Sequence, residues 1–85
     1  MEKVKSVVWT QKFEEDFKKI KDRMMQDRLE KQIMKIRFNL DFGKPLRYDL
    51  KGERTIYVKP YRLVYKAEND TLVLLRFEHR KSVYK

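Results

Sequence analysis

The sequence predicts an α+β fold in which two N-terminal helices pack on one face of a small antiparallel β-sheet, and three observations carry that expectation. Apolar residues recur at helical spacing through the first half, the period changes to two after Gly43-Lys44-Pro45, and turn-forming residues separate three β-prone runs in the second half. A sheet with one apolar face and two helices with apolar stripes bury one another as two layers. Eighty-five residues suffice for one hydrophobic core, so residues 1–85 are read as a single domain.

Val4, Val7, Val8 and Trp9 form a short β-prone opening. Thr10 is a candidate N-cap, and Glu14, Glu15 and Asp16 follow near the positive end of the helix it starts. Phe13, Phe17 and Ile20 give that helix its apolar face. In the second helix Met25, Leu29, Ile33, Ile36 and Leu40 recur at intervals of four, four, three and four, a continuous core stripe ended by Gly43 and Pro45. Three strands follow, at Arg54-Thr55-Ile56-Tyr57-Val58, Tyr61-Arg62-Leu63-Val64-Tyr65 and Leu72 to Phe77. Lys59-Pro60 suits a tight hairpin, and Glu68-Asn69-Asp70-Thr71 supplies residues for a second turn.

Charge points to polyanions. The net charge is +9, with eleven Lys or Arg against eight Asp or Glu in residues 1–43 and eleven against five in residues 44–85. With no cysteine and one histidine, the sequence speaks against disulfides, thiolate catalysis and the common zinc cages, and no metal or cofactor is expected. The longest apolar run, Leu72 to Leu75, is far below a membrane span, and no basic-then-apolar leader opens the chain, so the reading expects a cytoplasmic protein with no membrane partner.

Hairpins with even loops place Tyr57 opposite Arg62, and Arg62 opposite Phe77, on a common face. On this parity Ile56, Val58, Tyr61, Leu63, Tyr65, Leu72 and Leu74 form the floor for the helices. Thr55, Tyr57, Arg62, Val64, Lys66, Val73, Leu75, Phe77 and His79 form the other face. A cationic face bearing aromatic rings suits single-stranded RNA, whose phosphates pair with Arg and Lys and whose bases stack on rings. The tail from Glu78 to Lys85 adds His79, Arg80, Lys81 and Tyr84, an acid/base group, cations and an aromatic within eight residues.

These residues resemble the RelE branch of the RelE/ParE toxin superfamily. The resemblance rests on Leu50-Lys51-Gly52, Tyr61-Arg62-Leu63-Val64-Tyr65 and the closing His79-Arg80-Lys81-Ser82-Val83-Tyr84, and the element order covers essentially the whole chain. It implies a two-layer RelE-like fold and a type II toxin that enters the ribosomal A site, contacts rRNA and cuts mRNA by attack of the 2′-hydroxyl on the adjacent phosphodiester, without metal. It also implies a RelB-like antitoxin partner. By position, Arg62 stabilises charge on the phosphate, Arg80 holds the phosphate, Tyr84 stacks on or orients the nucleotide, and His79 shares the acid/base work. Lys51, Tyr57, Lys59, Lys66 and Lys81 are the further candidate RNA contacts. Two strand lysines of the best-known members are replaced here by Thr55 and Tyr57, which leaves the base open among Tyr57, Glu53, Lys51 and His79. The same scaffold also serves ParE-like inhibitors of DNA gyrase, and a basic RNA- or ribosome-binding module without chemistry is a third reading. The nuclease reading requires the Arg62 and Arg80 guanidinium groups to meet at one scissile linkage.

Overall fold

The computed structural model describes residues 4–46 and 52–83. In chain order the elements are β1 (Ser6–Trp9), α1 (Gln11–Lys18), α2 (Arg23–Phe38), β2 (Lys44–Pro45), β3 (Glu53–Val58), β4 (Tyr61–Glu68), β5 (Thr71–His79) and α3 (Arg80–Val83). The strands form one sheet in the order β1-β5-β4-β3-β2. The meander β3-β4-β5 is antiparallel, and β1 pairs with β5 in parallel, with Ser6 opposite Thr71 and Trp9 opposite Leu74. The α+β expectation holds, and β1 and β2 extend the predicted meander at its two edges.

Both hairpins have two-residue loops, because Val58 pairs with Tyr61 and Glu68 pairs with Thr71. In the second, Asn69 takes φ 56°, a left-handed conformation that Asn tolerates because its short amide side chain bonds locally.

Thr10 caps α1 as expected, its hydroxyl accepting from the Phe13 N–H at 3.2 Å. Asp22 does the same for α2 through the Met24 N–H at 2.9 Å. The α2 stripe Met25, Leu29, Ile33 and Ile36 is buried, and Leu40 packs against the core from beyond the helix end. The helix stops at Phe38, earlier than the expected end at Gly43 and Pro45, which instead lead into and lie within β2. Phe13, Leu29, Ile36, Leu63, Tyr65, Leu72 and Leu74 are fully buried between the helices and the sheet.

Gly43 is dictated by a close approach rather than by a helix cap. A Cβ there would lie 2.8 Å from Tyr65 Cε1 and 2.9 Å from the Thr55 carbonyl oxygen. The space is taken by the Tyr65 hydroxyl, which accepts from the Gly43 N–H at 2.8 Å and donates to the Leu40 carbonyl at 2.8 Å. Arg54 ties down the same segment by donating to the Gly43 carbonyl at 2.6 Å and pairing with Asp41 at 3.4 Å.

One irregularity reorders the face assignment. Val64 pairs with Arg76 and Tyr65 with Leu74, so Leu75 is an extra residue in β5. A bulge of one residue inverts every side chain beyond it. Phe77 is therefore buried in the helix-side core, with its ring stacked on Tyr61 at 4.8 Å, rather than lying on the open face. Arg62 faces Glu78, not Phe77, and His79 pairs with Tyr61 on the helix side. From Leu72 to Leu74, ahead of the bulge, the parity is as expected.

The edge of β5 beyond β1 is finished by α1. The Thr10 hydroxyl lies 2.8 Å from the Leu74 carbonyl and 3.1 Å from that of Leu75, and the buried Asp16 carboxylate accepts from the Phe77 N–H at 3.0 Å. Two polar side chains of one helix thus replace the missing strand partner at the bulge.

Candidate functional site

The face of the sheet turned away from α1 and α2 is a charge ladder. Cross-strand pairing puts Tyr57, Arg62 and Glu78 in one row, Thr55, Val64 and Arg76 in the next, and Glu53 with Lys66 in the third. Arg62 donates to Glu78 Oε2 at 2.6 Å, and Arg76 Nε donates to Glu78 Oε1 at 3.2 Å. The Arg76 guanidinium reaches Glu53 at 3.5 Å. The Arg62 and Glu78 side chains are only 16% and 23% exposed, so their attraction is less screened than that of a surface pair. Arg62 Nε is buried and has no hydrogen-bond partner among the described residues. The buried Nε is closed to an incoming anion, which would meet Arg62 only through the exposed part of its guanidinium.

Lys66 lies on this face and pairs with Glu68 at 2.7 Å. That hydrogen bond raises its pKa above the ordinary lysine value, so it stays charged. Tyr57 is exposed directly across from Arg62. Lys59 sits exposed in the β3–β4 turn, where its carbonyl accepts from Arg28 at 3.1 Å.

The tail residues divide. Arg80 opens α3 two residues beyond Glu78, and its N–H donates to the Pro60 carbonyl at 2.8 Å, which fixes its backbone at the Arg62 end of the sheet. Arg80 and Lys81 are exposed. His79 stands edge-on to Tyr61 at 5.2 Å in a cleft of about 350 Å³ shared with Lys12, Asp16 and Lys19, on the helix side. Its Nδ1 accepts from the Lys81 N–H at 3.1 Å, so the neutral ring carries its proton on Nε2. The bulge thus turns His79 to the other face of the sheet from Arg62. In the same cleft Lys12 bonds the Asp16 carboxylate at 2.7 Å, which raises the lysine's pKa. Lys51 and Tyr84 lie outside the described residues.

Three functional groups were missed by the sequence reading. Glu78 and Arg76 reach the open face only because of the bulge. Asp16 had a legible signal, since it falls three residues after Phe13 and four before Ile20, on the stripe that α1 buries.

Comparison with known proteins converges on one group. Residues 7–84 match the family described as the ParE toxin of the type II toxin–antitoxin system, parDE. Toxin RelG of Mycobacterium tuberculosis is 40% identical over 48 residues, covering 54% of this chain and 55% of that protein, so the match spans about half the length of this curated relative. The fold is similar to the RelB–RelE antitoxin–toxin complex from Methanococcus jannaschii, with a TM-score of 0.74, 23% identity and coverage of 91% of this chain and 94% of that one. It is also similar to the toxin–antitoxin complex RelBE2 from Mycobacterium tuberculosis, with a TM-score of 0.60, 29% identity and coverage of 88% and 90%. With a match across nearly its whole length and a helix pair on a five-stranded sheet, the chain belongs to the family of ParE toxins of type II toxin–antitoxin systems, within the RelE/ParE superfamily.

Proposed function

We propose that this toxin is a ribosome-dependent endoribonuclease that cuts mRNA in the A site, working in the cytoplasm under the control of a RelB-like antitoxin. The observation that carries this reading is Arg62, held on the open face by Glu78 at 2.6 Å. In the reaction the 2′-oxygen forms a bond to the neighbouring phosphorus as the bond to the 5′-oxygen breaks, leaving a cyclic phosphate and a free 5′-hydroxyl. The proton lost by the 2′-hydroxyl is balanced by the one gained at the leaving oxygen. Arg62 stabilises the negative charge that grows on the phosphate oxygens, a contribution worth about 10²–10³-fold in rate for one well-placed donor. Arg80, anchored at the same end of the sheet, holds the phosphate, while Lys59, Lys66 and Lys81 track the backbone. Tyr84 and Lys51 retain the orienting and RNA-binding roles that the resemblance gives them.

The open face offers Tyr57 beside Arg62 and Glu53 two rows away, and His79 is on the far side, so the chemistry in this reading depends chiefly on orientation and charge stabilisation. The antitoxin follows from the neighbours that are antitoxin–toxin complexes. A segment folding over this face would silence the toxin until the partner is degraded.

A second reading, inhibition of DNA gyrase, is favoured by the family description and by Arg62 being already ion-paired. Codon-level mapping of translated mRNA separates the two. Cutting that is lost in Arg62→Ala and Arg80→Ala supports the nuclease. Intact mRNA together with blocked supercoiling at stoichiometric protein supports the gyrase reading.

A further inference from the structure

We propose that the β2–β3 edge carries a slot for a single nucleobase, formed by Phe42, Tyr57, Thr55 and Lys44, which grips the nucleotide next to the scissile phosphate. The proposal rests on the RNA reading above. The cleft measures about 170 Å³ and lies where β2 ends beside β3. That is small against the 300–1,000 Å³ of sites for drug-sized ligands, and of the right order for one planar ring system.

Two large aromatic side chains line it and remain open to solvent, Phe42 at 43% and Tyr57 at 53% exposed. The Lys35 ammonium stands 5.7 Å from the Phe42 ring centroid but takes no part in lining the cleft, so it supports the ring from outside the slot. Rings of this kind stack on bases of any identity.

The polar groups are in place as well. Thr55 is buried and lines the cleft, and its hydroxyl, itself buried, has no hydrogen-bond partner among the described residues. The Leu46 N–H donates to the Glu53 carbonyl, so residues 53, 55 and 57 direct their backbone groups toward the β2 side. Among the described residues β2 pairs only as far as Thr55, which leaves the Tyr57 N–H and C=O on an open edge. The adjacent N–H and C=O of Tyr57, beside two exposed rings, match the edge of a nucleobase. Lys44, opposite Thr55, supplies charge for its phosphate. Because Tyr57 is directly across from Arg62, a base in the slot belongs to a nucleotide flanking the phosphate that Arg62 would bind.

The test is single-turnover cleavage on programmed ribosomes, using mRNAs in which each A-site nucleotide in turn is abasic. With wild type, one abasic position should lower the subsaturating rate by about tenfold, as loss of one base–aromatic stack predicts. Phe42→Ala should lower the rate on intact mRNA similarly and show no further loss at that abasic position. Phe38→Ala, an exposed ring outside the slot, should match wild type. Circular dichroism of each variant reports folding. Cleavage that needs Arg62 but ignores Phe42→Ala overturns the slot alone and leaves that surface to a protein partner. No cleavage by wild type overturns the RNA reading and the slot with it.

Discussion

Replacing Tyr65 by Phe removes a single oxygen, and the structure sets the cost. The hydroxyl is the only described group that satisfies both the buried Gly43 N–H and the Leu40 carbonyl, each at 2.8 Å. A buried group stranded without its partner costs about 1–3 kcal/mol, and the carbonyl, with its second lone pair, sits at the lower end, so the variant should lose roughly 2–4 kcal/mol. For a chain of this size that corresponds to a fall in Tm of roughly 10–25 °C. Urea denaturation at pH 7 measures it, and a loss below about 1 kcal/mol refutes the clasp. The pH dependence supplies a second reading of the same bond. Burial pushes the Tyr65 phenol above its ordinary value near 10. A folded pKa above the unfolded one means the contribution is fully present below the unfolded value. It is lost as pH rises toward the folded value, because the unfolded chain gives up its proton first. The stability gap between wild type and Tyr65→Phe should therefore narrow above pH 10. A gap that widens there contradicts the assignment of a buried, proton-donating hydroxyl.

Three further outcomes follow from the geometry. Gly43→Ala should cost about 1–3 kcal/mol in the same urea assay, since its methyl meets Tyr65 and the Thr55 carbonyl at under 3.0 Å; a neutral result would mean the β2 approach yields freely. Asp16→Ala strands the Phe77 N–H and should cost about 1–3 kcal/mol, with Asp16→Asn, which keeps an acceptor, recovering part of it; equal losses for both would show that the carboxylate's charge, not the bond, matters. Glu78→Gln removes the anion between Arg62 and Arg76, so RNA binding measured against salt should tighten at low salt and show a steeper salt slope, and an unchanged slope would argue that these arginines face no phosphate.

The helices and the meander were legible because each obeyed a single period over many residues. Met25 to Leu40 repeats at helical spacing, and the two-residue hairpins kept parity intact from Arg54 to Leu74. Parity failed at Leu75, where the bulge is stabilised by Thr10 and Asp16, more than fifty residues away in the chain. No pattern within β5 encodes a partner that distant, so Phe77 and His79 were assigned to the wrong face. Glu78, the residue that actually holds Arg62, was hidden by the same slip. The α2 terminus was misjudged for a related reason: Gly43 serves the Tyr65 hydroxyl, a contact between residues 22 apart, rather than a helix cap. Arg62 and Tyr57 were placed correctly because the turn that relates them is local.

The parallel pairing of β1 with β5 joins the earliest described strand to the latest, with Ser6 bonded to Thr71 at 3.0 Å. During synthesis β1 must wait for nearly every other element before it has a neighbour, and Glu78 emerges later still. A polypeptide interrupted before that point lacks both the last strand and the anion that orders Arg62. The ordered ladder of the open face is therefore absent until β5 has been made.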